Sequence, residues 1–303
     1  MAKISALTSA ELGTRLKEGI FLQTGAFITH LKSSIARVAE GVGLLYADYS
    51  LAERDGFADF HVSLNPPMNL RRWFRPQVFF EFDGKSAFKP LPHDQAFPMF
   101  EWGLNWCVST HANSYLMIHA AVVEKNGHAA ILPAPPGSGK STLCAALVCR
   151  GWRLFSDEIA LVRLSDGKII PFPRPVSLKN ESIDIIRAYQ PQAVFSRKVA
   201  ATMKGTVAHM KAPADSVERA GEAAHAAWVI FPRYQAGVEA HLEAVPKARA
   251  FMRVADNSFN YSLLGESGFE ALAGLIDACR CHDFTYAELD QAVAAFAELK
   301  PGA

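Results

Sequence analysis

The sequence predicts an α/β fold, and three features carry that expectation. Two apolar runs in "YLMIHAAVVEKNGHAAILPA" meet at an Asn-Gly pair, a strong short-range hairpin signal. A glycine-rich turn and a short helical stretch, "PPGSGKSTLCAALVCRG", follow at once. Further strands and helices alternate to the end of the chain, as in sheets covered by helices.

Half of the 303 residues are hydrophobic, enough for one large domain or two modest ones. The 31 Lys and Arg residues nearly cancel the 30 Asp and Glu residues, so no global field draws the chain to nucleic acid or an anionic membrane. A nucleic-acid ATPase is disfavoured because no basic stripe interleaved with aromatics appears. No apolar run approaches a membrane span. The five cysteines are odd in number and scattered, which argues for a reducing cytoplasm and for core or helix roles. Cys279-Arg280-Cys281-His282 looks like half of a metal site but lacks a second ligand pair.

The chain divides into an accessory module over residues 1–93 and a larger domain over 94–303. From Leu31 to about Leu91, "GLLYADYSL", "DFHVSLNPP" and "QVFFEFDG" read as short strands punctuated by prolines, a small and mostly β module. Asp94 to Asn113 has helix-like apolar spacing, with Pro98 in its first turn, and suits a helix linking the two parts. After the hairpin and the glycine-rich turn, Ser141 to Arg150 reads as a helix closed by Gly151. "WRLFSDEIALVRL" reads as one strand, and "KIIPFPRPVSLKNESIDII" as strand-like, then proline-broken, then helical from about Ser182. Residues 190 to 225 are polar and alanine-rich with little periodicity, and read as mobile. "AAWVIFPRY" and "GVEAHLEAV" then read as strands, and "GFEALAGLIDACR" and "YAELDQAVAAFAELK" as helices.

The turn matches most of a phosphate-binding loop. That motif needs Gly, four residues, then Gly-Lys-Ser/Thr, because backbone N–H groups must curl around an anion at a helix start. Here Gly137-Ser138-Gly139-Lys140-Ser141 is intact, Ala134 replaces the first glycine, and Pro135 and Pro136 supply no N–H. The expected cradle is therefore the amides of Gly137, Ser138, Gly139, Lys140 and Ser141, with the Lys140 ammonium and a Ser141 hydroxyl suited to Mg²⁺. Thr142 follows in the helix. A strand–helix–strand crossover would return the next strand parallel to the first and bring Asp157 and Glu158 to the rim beside the phosphate. Alternation points the two acids to opposite faces. Asp157 is assigned as the base for an incoming hydroxyl, with Glu158 on the metal side or supporting it.

"MIHAAVVEKNG", "PPGSGKSTLCAALVCRGWRLFSDE" and "VPKARAFMRVADNSFNYSLLG" resemble the kinase domain of HPr kinase/phosphorylase, a bacterial protein serine kinase, and more closely the group called HPr kinase-related kinase A. The similarity runs from about Leu116 to the end and is strongest from His119 to Glu158. It implies a P-loop fold similar to phosphoenolpyruvate carboxykinase, use of ATP and Mg²⁺, Asp157 as base, and Lys140 and Ser141 on phosphates and metal. It also implies His119 in the active site, where the residues alone would suggest a satisfied strand histidine. Arg249, and less directly Lys247, match a family loop near the acceptor, though solvated surface explains them equally. Arg174, Lys179, Lys204 and Arg233 are further cations beside turns.

The chain departs from the family where "RPVSLKNESIDII" replaces a Glu-x-Arg-Gly-Leu-Gly-Ile type signature, and where Asp-Glu replaces Asp-Asp. HPr recognition, phosphorylase activity and the family's hexamer are thus not carried over, and a homo-oligomer stays open. Glu181 is a candidate substitute acid or a helix N-terminal residue. The expected function is ATP-dependent transfer of phosphate to a hydroxyl, serine first, of a protein or peptide. A small-molecule kinase and a non-catalytic ATP-binding switch in a peptide-modification system are the alternatives.

Overall fold

The computed structural model describes residues 2–53, 56–69 and 74–301. The N-terminal part begins with α1 (Ser9–Glu18), where the Thr8 side chain accepts from the Glu11 amide and the Glu11 carboxylate accepts from the Thr8 amide. Then come β1 (Ile20–Thr24), β2 (Phe27–Ser33), α2 (Ala36–Leu45), β3 (Phe60–Asn65), β4 (Gln77–Phe82), β5 (Lys85–Ser86), β6 (Leu91–Pro92) and α3 (Ala96–His111). The sheet order is β1-β2-β3-β4-β5, with β6 beside β4. β2 and β3 run parallel, which requires a crossover, and α2 lies within it.

This part differs from the sequence reading. "GLLYADYSL" is the end of α2 and a turn, because Val38, Val42 and Leu45 recur at helical spacing and are all buried. The β1–β2 hairpin and α1 lie ahead of the first strand expected. α3 is not a bare linker: Phe97, Phe100, Leu104, Cys107 and Val108 join Val38, Val42 and Phe80 in one core that continues across position 93/94. Gly103 lets α3 approach the sheet, since a Cβ there would stand 1.9 Å from the Phe80 ring.

The second part contains β7 (Tyr115–Lys125), β8 (His128–Pro133), α4 (Lys140–Cys149), β9 (Arg153–Ser156), β10 (Ile159–Arg163) and β11 (Ile169–Ile170). Next come β12 (Val176–Lys179), α5 (Glu181–Tyr189), β13 (Val199–Thr202), β14 (Gly205–Met210) and α6 (Ala214–Glu218). The last elements are β15 (His225–Tyr234), β16 (His241–Ala244), α7 (Lys247–Asp256), α8 (Tyr261–Leu264), α9 (Glu266–Ala278), β17 (Arg280–Tyr286) and α10 (Leu289–Ala297). An eight-stranded sheet runs β11-β10-β7-β8-β15-β17-β16, with β9 also on β7. The whole is a mixed α/β fold. Among the described residues no helix is long and apolar enough to cross a membrane.

The Asn126-Gly127 turn joins β7 and β8 as expected, both residues having positive φ (54° and 82°), as a type I′ turn requires. β8 and β9 point the same way but are not neighbours, because β7 lies between them and pairs antiparallel with each. "WRLFSDEIALVRL" is two strands, β9 and β10, both on β7. Residues 190 to 225 are structured: β13 and β14 join β12 in a three-stranded sheet whose Val199, Val207, Ala208 and Met210 are buried. The period-two alternation is short there, so local sequence alone shows little of it. α7, α8 and β17 were likewise not apparent from local pattern.

The two parts dock through polar as well as apolar contacts. Tyr49 donates to the Pro173 carbonyl at 3.1 Å, and Lys211 pairs with Asp48 at 2.8 Å. The most buried link is Arg174 to Glu101 of α3, 2.6 Å apart, with both side chains almost wholly covered. Truncating one member of such a pair strands the other charge. Glu101→Ala should therefore cost about 3–5 kcal/mol in urea unfolding, while Glu101→Gln, which still offers Arg174 an acceptor, should cost less.

Candidate active site

The Gly137–Ser141 loop links β8 to α4, and its shape depends on two left-handed glycines. Gly137 has φ 87° and Gly139 φ 89°. Gly139 also meets a close neighbour, since a Cβ would lie 2.5 Å from the Tyr286 hydroxyl, which donates to the Gly139 carbonyl at 3.0 Å. Tyr234 at the end of β15 braces the loop from the same side, its amide donating to the Ser138 carbonyl at 2.9 Å. The amides of Gly137, Gly139, Lys140 and Ser141 donate to no acceptor among the described residues, as expected where a helix opens. Ser138 differs from the expected cradle: its amide donates to the Pro135 carbonyl at 3.3 Å, and its hydroxyl is buried without a partner. Thr142 is an ordinary half-buried residue of α4.

Lys140 is 8% exposed and its Nζ lies 3.1 Å from His119 Nε2 on β7. An ammonium has no lone pair, so Lys140 donates and His119 carries its proton on Nδ1. Burial, then the Lys140 charge, push the His119 imidazole down to about 4, which keeps it neutral near pH 7. Burial also draws Lys140 below its ordinary value, against the pull of Asp157 and Glu158. The His119 amide donates to the Asn257 carbonyl at 2.7 Å, fixing the strand beneath the ring.

Asp157 and Glu158 occupy a bend rather than a strand. The Ser156 hydroxyl accepts from the amides of Glu158 (3.3 Å) and Ile159 (3.0 Å), taking donors that a regular ladder would use. Asp157 is 5% exposed; its Oδ2 accepts from the Ser177 amide at 2.9 Å, while Oδ1 is buried with no hydrogen-bond partner among the described residues. Ser141 neighbours this carboxyl group without a hydrogen bond of ordinary geometry to Oδ1. Burial, then the Glu158 charge, push Asp157 up to about 6, against Lys140 and the Ser177 amide. Glu158, half-buried, goes the other way: burial would raise it, but Lys204, Lys140 and Lys179 together hold it below its ordinary value. Asn105 of α3 donates to Glu158 Oε2 at 3.1 Å.

The structure thus brings together His119, Lys140, Ser141, Asp157 and Glu158. Lys179 and Lys204, read from sequence as cations beside turns, also bear on this cluster. Arg174 is a buried structural cation held by Glu101 and Asn105. Arg233 is exposed next to Tyr234, and Glu181 is exposed in the first turn of α5. Arg249 is exposed at the start of α7, one turn before Arg253, which lines a second cavity of about 140 Å³ against Pro133, Ala134 and Pro135. Lys247 donates to the Asp277 carbonyl at the end of α9. Trp102, Asn105 and Ser177 carry no motif in the sequence; the one local signal is Glu101 and Asn105 standing in the mainly apolar stretch 96–108 of α3.

No cage of three or more His, Cys, Asp or Glu side chains exists among the described residues. Mg²⁺ commonly binds through one or two carboxylates together with phosphates and water. A Ser141 hydroxyl beside Asp157, whose Oδ1 has no partner among the described residues, with Glu158 next in the chain, fits that mode. Cys279 and Cys281 are buried apolar packing residues.

The family model described as SynChlorMet cassette protein ScmC matches residues 96–244. That span reaches from α3 through the loop, the acid pair, Lys179 and Lys204 to β16, and stops short of Arg249. No curated protein matches the chain.

Asp157 generates a stability test in metal-free protein. Its raised folded pKa means that the folded chain holds this proton more tightly than the unfolded one. The protonated form's contribution is therefore lost as pH rises from the ordinary 3.8 through about 6. Asp157→Asn should melt like the parent near pH 4 and be about 2–3 kcal/mol more stable at pH 8, read from melts in chelator.

Proposed function

We propose that this chain is an ATP-dependent kinase with a P-loop domain of the HPr kinase and phosphoenolpyruvate carboxykinase type, transferring the γ-phosphate to a hydroxyl, serine first, of a protein or peptide. The observation that carries the reading is the meeting of a helix-start anion cradle and Lys140 with a buried carboxylate, Asp157, whose Oδ1 has no partner. Backbone amides and a helix N-terminus favour polyanions without any charged side chain, and Lys140 adds one. The resemblance to HPr kinase-related kinases supports the same assignment.

In the proposed reaction the acceptor oxygen forms a bond to the γ-phosphorus while the bond from that phosphorus to the β–γ bridging oxygen breaks. The hydroxyl proton passes to Asp157 Oδ1, and the nucleoside diphosphate leaves. A base with a pKa of about 6 is matched to work near neutral pH, being mostly ionised yet still basic enough to take a proton. Ser141 and Glu158 would hold Mg²⁺, which supplies charge neutralisation on the phosphates when bound. Neutral His119 accepts from the Lys140 ammonium and so fixes its position. Splitting two adjacent carboxyl groups, one raised and one lowered, separates a proton-accepting role from a charge-bearing one.

The test separates binding from transfer. Lys140→Met should weaken ATP binding on the order of 10²-fold by calorimetry. Asp157→Asn should keep that affinity and lose transfer by about 10²–10⁴-fold, followed with labelled ATP, Mg²⁺ and candidate peptides or lysate and mapped by mass spectrometry. Label found only in free phosphate, together with a fully functional Asp157→Asn, would favour a nucleotide-binding switch.

A further inference from the structure

A cavity of about 20 Å³ lies between α3 and the acid pair, lined by Trp102, Asn105, Asp157, Arg174, Ser177 and His209 among others. It gathers an unusual number of unmet polar atoms. Trp102 Nε1, Asp157 Oδ1, Arg174 Nε, Ser177 Oγ and both ring nitrogens of His209 are buried without a hydrogen-bond partner among the described residues. Native proteins leave few such atoms, since each costs about 1–3 kcal/mol. Asp157, Arg174, Ser177 and His209 are each less than one-tenth exposed.

The chemistry of the set is selective. The Trp102 and Arg174 N–H groups can only donate, and an ionised Asp157 can only accept. A group that both donates and accepts at one atom satisfies both kinds, and an alcohol oxygen does so. The space is on the scale of one water-sized group, which suits a small alcohol better than a phenol ring. Trp102 is half-buried, with the Lys204 ammonium 5.1 Å from the centre of its ring.

We infer that this cavity seats the acceptor hydroxyl and that Trp102 of α3, a helix whose Phe100 and Leu104 belong to the N-terminal core, sets how bulky an alcohol can enter. The inference rests on the kinase reading above. Asn105 is a positioning residue in the same arrangement: it donates to Glu158 and accepts from Arg174 Nη1 at 2.8 Å, tying α3 to the acid that borders the cavity. The N-terminal part would thereby act on acceptor choice through the wall of the site itself.

The experiment offers the full-length protein labelled ATP and Mg²⁺ with peptide pools in which serine, threonine or tyrosine is the sole hydroxyl residue. A further arm holds free serine and glycerol, which carry a hydroxymethyl group without a peptide chain. Hydroxymethyl acceptors should exceed threonine by at least ~10-fold, the scale on which one extra carbon is rejected, and tyrosine should take no label. Label in the free-alcohol arm alone supports the cavity and assigns its alcohol to a small molecule. Trp102→Ala should bring the threonine-to-serine ratio toward parity with ATP affinity unchanged. Trp102→Phe, which keeps a large ring and removes only the N–H, should keep the ratio and lower kcat/KM for both acceptors. Equal labelling of threonine or tyrosine by the parent, or an unchanged ratio in a folded Trp102→Ala, overturns the inference and leaves the kinase reading standing. Tight ATP binding with no label in any arm overturns both.

Discussion

The buried Arg174 guanidinium is the constraint on which the geometry of the site depends. A charge this deep must be paired, and α3 supplies acceptors to it: the Glu101 carboxylate and carbonyl and the Asn105 side-chain oxygen. Because Asn105 also reaches Glu158, the same cation that locks α3 to the segment before β12 steadies one member of the acid pair. The helix, the acid bend and the segment leading into β12 are therefore tied together by side-chain hydrogen bonds. Ser177, at the start of β12, closes this unit by donating its amide to Asp157.

Within that frame two neighbouring carboxyl groups receive opposite treatment. Asp157 is shut away with a single backbone donor on one oxygen, and burial raises its affinity for a proton. Glu158 is also desolvated, but three lysines from α4, β12 and the β13–β14 hairpin face it and keep it ionised. The separation does not arise from the Asp-Glu dipeptide. It arises from elements up to 47 residues further along the chain, counted from Asp157 to Lys204, being folded back over it.

The legible parts of the sequence were those with a local physical signature. Asn126-Gly127 demanded positive φ at two successive residues, and the hairpin formed there. Gly139 before a helical run marked the opening of α4, and Asp157 and Glu158 followed on the next strand segment close to that loop. What escaped was set by partners distant in sequence. "GLLYADYSL" has apolar residues enough for a strand, yet its first residues complete the buried stripe of α2. The segment after residue 190 reads as polar and irregular because its strands are short and find their partners only in one another and in β12.

By itself the sequence determined the α/β class, the hairpin, the glycine-rich loop at a helix start and the identity of the acids and lysine beside it. Those features follow from backbone conformational limits and from residue types within a few positions of each other. Only the tertiary structure decided that Asp157 keeps an unpartnered oxygen, that Glu158 faces three lysines, and that Trp102 and Asn105 of α3 border the acids. Burial and electrostatic environment depend on what packs around a group in three dimensions, and no local spacing encodes which distant element that will be.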